Sequence, residues 1–250
     1  MHASAGTQSF EFSAELASVR PAPTINALPG AWKSVLERMT PLGVREVQLS
    51  ATQPGFRPRE LDRSGRRDLL AGLRRHELTL AGLDAWIPAE HFVEVEHIDR
   101  AVHAMVQIIE LAGDLGRIPV SFALPGVTPM NQSGDEPAGT DDAGDAVTEV
   151  TSTLAAAAER FGITLIDFAL PRTERAGIAF GVDTAAALSH AMDPAGVIVS
   201  SAPATVRLSD LTASGMRGPI GRGGRLDIVA VMASMSVLTP TPGLVIDCRQ

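Results

Sequence analysis

From Gly30 to Asp247 the chain alternates helical patterns with short, almost wholly apolar runs, and that alternation leaves few folds open to it. Ala31–Leu42, Ser64–His76, Ile98–Leu115 and Ala143–Phe161 read as helices; in the third, Val102, Met105, Val106, Ile109 and Ala112 recur at helical spacing. Val44–Ser50 alternates like a strand, and Leu78–Ile87, Ile118–Leu124, Ile163–Leu170 and Gly177–Val182 read as near-continuously apolar strands. Strands that are apolar along their whole length are buried on both faces, as in a parallel sheet covered by helices. With an early strand near Glu11–Val19 and two more after Ala204, the count is roughly eight, which favours closure into a (β/α)8 barrel over an open sheet. The expectation is one barrel domain over residues 1–250, with too little chain after the eighth strand for a full final helix.

Apolar residues make up 45% of the chain, enough for a large core, yet no run is long enough to span a bilayer. The net charge of −8 opposes a nucleic-acid partner, which needs a broad basic face. Lys33 is the only lysine and lies in a helical pattern, so Schiff-base chemistry is not expected; the chain has no tyrosine to act as an acid or base. The single cysteine, Cys248, excludes an internal disulfide, and the first residues lack a secretory signal, so the expected location is cytoplasmic. Residues 126–144 are polar, acidic and rich in Gly and Pro, the composition of a flexible loop. Following a strand, that loop would lie on the face where barrel enzymes place their sites.

Two closing units carry charge at strand ends. VRLSD (Val206–Asp210) leads into the glycine- and arginine-rich PIGRGGRLD (Pro219–Asp227), and GLVID ends in Asp247. With GVDTAAAL, VREVQLS, LTLAGLDAWIPAEHF and DRAVHAMVQIIELAGDLGRIPV, these phrases resemble, in order and spacing, the xylose isomerase-like barrels of sugar isomerases and epimerases. The resemblance covers Val44 to Asp247. It implies a divalent metal, Mn²⁺ or Mg²⁺, at the barrel mouth, held by carboxylates and histidine from strands five to eight. Such an ion polarises the oxygens of an open-chain sugar while acidic side chains move a proton.

Carried over residue by residue, the resemblance makes Asp183 and Asp247 metal ligands or catalytic acids. Asp167, the nearest acid to the strand-five glutamate, would be the catalytic base, although spacing from Gly162 puts Phe168 at that position. Ala186 stands where a histidine often follows the strand-six aspartate. On strand seven, His-x-x-Asp has become Arg207 and Asp210. Arginine stays protonated and offers no lone pair, so it cannot ligate a metal. Two unit charges 4 Å apart interact by roughly 4 kcal/mol at an effective dielectric near 20, and a divalent ion doubles the repulsion. Arg207 therefore either replaces the cation, pairing with Asp183 and Asp247 and offering its spare donors to a ligand, or belongs to an ion-pair network filling an inert site.

Other substrate-binding candidates are Asp210, as an orienting group, Arg57 in the loop after strand two, and Trp86 and His91 after strand three. The loop Gly215–Asp227 reads either as a phosphate cradle or as a tight lead-in to a helix. The resemblance thus implies a small sugar or polyol as partner and a sugar or sugar-phosphate isomerase or epimerase as function. The alternative is an inactive barrel homologue that binds a polyol or a protein.

Overall fold

The computed structural model describes residues 19–126, 140–221 and 223–249. Eight parallel strands carry the barrel: β1 (Pro21–Pro23), β2 (Glu46–Ser50), β3 (Thr79–Asp84), β4 (Val120–Phe122), β5 (Leu165–Asp167), β6 (Ile178–Asp183), β7 (Thr205–Leu208) and β10 (Gly243–Ile246). Between the last two, a short antiparallel hairpin pairs β8 (Asp210–Leu211) with β9 (Arg217–Gly218). Strand order runs β1-β10-β7-β6-β5-β4-β3-β2, and the ring closes where Thr24 bridges Gln48. This is the (β/α)8 barrel that the alternation predicts.

The first strand is displaced from its expected place. Residues 11–18 of the expected Glu11–Val19 strand lie outside the described residues, and the strand that closes the barrel is the PAP segment. Proline lacks an N–H, so a central strand seldom carries it. Here the backbone N–H of Thr24 donates to Ile246 of β10 at 3.0 Å. Alternation therefore turns the donor-less nitrogens of Pro21 and Pro23 toward β2. The β1–β2 seam accordingly holds by the Thr24–Gln48 bridge and by the Thr24 hydroxyl, which donates to Oε1 of Gln48 at 2.9 Å.

The covering helices are α1 (Trp32–Met39), α2 (Arg63–Arg75), α3 (Ile98–Asp114), α4 (Thr140–Phe161), α5 (Thr184–Ser189), α6 (Pro194–Ser201) and α7 (Ile228–Ser236). Four are capped by aspartate, which satisfies amides that the first turn leaves free. Asp62, Asp183, Asp193 and Asp227 accept from backbone N–H groups at the starts of α2, α5, α6 and α7. The expected loop over 126–144 is shorter at its end, because α4 already runs from Thr140; residues 127–139 lie outside the described residues. Among the described residues no helix follows β10, and no helix is long and apolar enough to cross a membrane.

The core lies between strands and helices. Val47, Leu49, Leu83, Val120, Phe122 and Leu165 pack outward against the first four helices, while Val206 and Leu208 meet Ile198, Val231 and Met235. The alternate residues face the barrel axis, and many of those are polar: Gln48, Ser50, Asp84, Ser121, Asp183, Arg207 and Ser209 are all buried.

Candidate functional site

The axis-facing residues at the carboxyl ends of the strands form one closed network of charge. Arg207, from β7, donates through Nη2 to Asp84 at the end of β3 and to the Ser121 hydroxyl of β4 at 3.1 Å. Its Nη1 lies 3.6 Å from Asp183, which stands opposite it in the β6–β7 register. Arg217, on β9, reaches Asp183 at 2.6 Å and Asp247 at 3.2 Å. Arg249 takes both oxygens of Asp247, at 2.8 and 2.9 Å, and Oδ2 of Asp84 at 2.5 Å. The Ser209 hydroxyl accepts from Arg217 at 2.7 Å and donates to Asp183 at 3.2 Å.

Three carboxylates thus meet three guanidiniums, and the formal charges cancel. Cancellation is required because the side chains of Arg207 and Asp84 are only 4% and 1% exposed, and an unpaired charge at such depth costs several kcal/mol.

Aromatic rings sandwich the network. The Arg207 guanidinium lies 4.1 Å from the Phe168 ring centroid. That ring reaches the axis because position 181 is glycine: a Cβ there would fall 2.7 Å from Phe168 and 2.9 Å from Ile166. On the outer side, Arg249 stacks 3.8 Å and Arg217 5.5 Å from Trp86, whose residue is 49% exposed. Trp86 is therefore the network's lid and also a wall of the adjoining groove. That groove, about 360 Å³, is lined by Thr52, Arg57, Trp86, His91, Arg100 and Gln107 among others.

The structure brings most of the sequence candidates together, in two places. Asp183, Asp247 and Arg207 share the axial network; Arg57, Trp86 and His91 share the groove. Arg207 does pair with Asp183, but its shortest carboxylate contact is Asp84, a residue outside the expected site.

Asp167 lies apart. Its register partners are Phe122 and Phe180, and Phe122 packs edge-on against Phe92 outside the barrel. Side chains alternate along a strand, so a one-residue offset puts Phe168 on the axis and Asp167 away from it. There Asp167 pairs with Arg175 and accepts from the backbone N–H groups of Ala169 and Leu124 at 2.9 and 3.1 Å. Burial outweighs those contacts and raises its pKa.

Asp210 orients backbone rather than a reacting group. Its Oδ1 accepts from Leu211, Arg225 and Leu226 at 2.7, 2.8 and 2.9 Å. The glycine-rich loop thus folds its amides around an internal carboxylate, which answers the phosphate-cradle reading for those amides. Gly224 is obligatory there, since a Cβ would lie 1.9 Å from Oδ2 of Asp210.

The donor set does not fit the divalent ion that the resemblance implies. Asp183 and Asp247 each already receive guanidinium groups, Arg207 and Phe168 stand at two expected ligand positions, and residue 186 is an alanine whose N–H donates to Asp183 at 3.0 Å. An ion there would have to displace at least one arginine and strip its partner. Among the described residues no imidazole enters the network.

Burial by itself would raise the Asp247 pKa, but the hydrogen bonds and charge of Arg249, with the nearby charge of Arg207, outweigh it and hold the carboxyl below its ordinary value. Arg249 shifts upward: burial acts against its charge, and Asp247, Asp84 and Asp183 more than offset that. A carboxyl whose folded pKa is depressed contributes stability that is present above the unfolded value, about 3.9, and is lost as pH falls through the folded value. The stability difference between wild type and Asp247→Asn is therefore expected to be constant near neutrality and to shrink below about pH 4. Urea melts from pH 7 down to pH 3 measure it; a difference that stays flat across that range would refute the ionic role of Asp247.

No family model matches the chain, and no curated protein matches it. Solved structures do. A xylose isomerase domain protein from Planctomyces limnophilus superposes with a TM-score of 0.69 at 15% identity, covering 91% of this chain and 90% of that one. A D-tagatose 3-epimerase-like protein gives 0.68 at 15% identity, covering 93% and 90%. A xylose isomerase-like TIM barrel protein from Mycobacterium smegmatis, in complex with magnesium, gives 0.62 at 14% identity, covering 93% and 90%. The fold of this chain is that of the xylose isomerase-like (β/α)8 barrels.

Proposed function

We propose that this barrel is a binding homologue of the sugar isomerases and epimerases, taking a small sugar or polyol at its carboxyl-end mouth without metal-dependent turnover. One observation carries the reading: the Arg207 guanidinium lies between Asp84 and Asp183, on the axis, where a cation would be held. The similar folds named above favour a sugar-like ligand. The half-exposed face of Trp86 offers an apolar wall for C–H groups, and Arg57, His91 and Gln107 offer polar groups around the same groove.

Proton transfer at carbon is disfavoured by the same network. Asp247 is held below its ordinary pKa, which makes it a weaker base, and both its oxygens are occupied by arginine. Metal-dependent epimerisation is the competing reading, and the similarity to epimerase folds is what favours it.

Calorimetric titration with a panel of ketoses, aldonates and polyols, with proton NMR of the same mixtures, separates the two. Binding that is unchanged by Mn²⁺, Mg²⁺ or chelator, with no new sugar epimer formed, is the expected result. Epimer formation stimulated by Mn²⁺ or Mg²⁺ would overturn it.

A further inference from the structure

We propose that His91, Glu94 and His97 form a binding site for a divalent transition-metal ion of the Zn²⁺ type, at the rim of the groove and separate from the axial network. The three residues are spaced evenly along one short stretch. His91 sits in a one-turn 3-10 helix, Ala89–Phe92, Glu94 in the segment that follows, and His97 immediately before α3. Backbone hydrogen bonds hold that stretch in shape: the N–H groups of Glu94 and Ile98 donate to Glu90 and Glu94 at 3.0 and 2.9 Å, and that of His97 to Glu94 at 2.8 Å.

The side chains converge. One ligand atom from each of the three lies within 4.8 Å of the other two. Nε2 of His97 is 3.6 Å from Oε2 of Glu94, and the two imidazole rings lie 4.5 Å apart at a tilt of 54°. In a tetrahedral zinc site, donors about 2.0–2.2 Å from the ion lie roughly 3.3–3.6 Å from one another. Side-chain rotation of these half-buried and exposed groups closes the remaining gap, while the backbone stays as it is.

The donor chemistry selects the ion. Two imidazoles and one carboxylate suit a borderline cation, whereas Mg²⁺ and Ca²⁺ take oxygen ligands. Three protein ligands leave a fourth position for water or for an oxygen of a bound molecule. Because His91 also lines the groove, the ion would border the cavity assigned above to a ligand. The metal site does not depend on that assignment, and either can fail without the other.

One neighbour opposes the ion. The exposed Arg100 lies 3.4 Å from Nδ1 of His97. Coordination through Nε2 leaves the proton on Nδ1, so two donors would then face each other and Arg100 must swing away. Removing its positive charge should therefore tighten binding.

Chelator-stripped protein titrated with ZnCl2 in a calorimeter provides the test, with Co²⁺ absorption as a second readout of coordination. One equivalent is expected to bind. His91→Ala and His97→Ala should each weaken binding at least about tenfold, since each removes one of three protein ligands. Arg100→Ala should strengthen it, and His103→Ala, at an exposed histidine outside the cluster, should leave it unchanged. Absence of Zn²⁺ binding, or binding that survives the His91→Ala/His97→Ala double substitution, would overturn the proposal. Melting curves of each variant establish that these surface changes leave the barrel folded.

Discussion

Replacing Arg207 by methionine is expected to destabilise the barrel by about 3–5 kcal/mol, the range for breaking a buried ion pair from one side. The substitution keeps a long apolar stem against Phe168 but leaves three buried carboxylates with two guanidiniums. Asp84 retains Arg249 and Asp183 retains Arg217, so the loss should fall short of complete unfolding. At about 2–4 °C per kcal/mol for a domain of this size, the melting midpoint should drop by roughly 6–20 °C.

The double substitution Arg207→Met/Asp84→Leu should cost less than the sum of the two singles, because it removes both charges together. Urea melts of the four proteins form the cycle. A cost below about 1 kcal/mol for Arg207→Met would mean that the axial pairing does not balance charge as described.

Asp210→Ala is expected to cost about 3 kcal/mol, since a buried carboxylate that accepts several backbone N–H groups leaves them all unsatisfied when it goes. The effect should be local before it is global. The 215–227 loop folds around that carboxylate, and it carries Arg217, Arg222 and Arg225, so trypsin should cut the variant there well before it cuts wild type. Gly224→Ala should reproduce the phenotype from the other side, because its Cβ occupies the space of the Asp210 carboxylate. Asp210→Asn, which keeps one acceptor oxygen, should be milder. Equal trypsin sensitivity in Asp210→Ala and wild type would show that the loop is held by something else.

Arg217 links these two results. It stands on the loop that Asp210 organises, and it supplies two of the contacts that neutralise Asp183 and Asp247. Loosening the loop therefore exposes the axial network, and the two predictions should be less than additive when combined.

Much of the site could be read from the chain, and the parts that were missed share a cause. Asp183, Arg207, Asp210 and Asp247 stand at strand ends within phrases that resemble a known barrel, so their placement at the mouth followed. Asp84 is the one charge within LTLAGLDAWI, and a lone carboxylate in an apolar strand is a signal in its own right. Arg249 lies two residues beyond Asp247, so alternation puts both on one face. Both could have been found by asking which charges the strand pattern sends inward. The phosphate-cradle alternative for Gly215–Asp227 fails because the loop amides are taken by Asp210 and Arg217 by two aspartates, contacts that no local pattern announces.

The barrel follows from local pattern: apolar strands and amphipathic helices are legible segment by segment, and their alternation admits little else. That position 207 cannot ligate a metal is equally local, because it follows from the chemistry of one side chain. The partners of each charge, by contrast, are set by the closed fold. Arg207 meets Asp84 across 123 positions of chain, and Arg249 meets the same carboxylate across 165. Such pairs exist only once the strands have closed into a ring, with PAP as its first member and Gly181 leaving room for Phe168. Strand periodicity says which side chains face inward; which of them touch depends on stagger around the closed barrel, a property that no single segment carries.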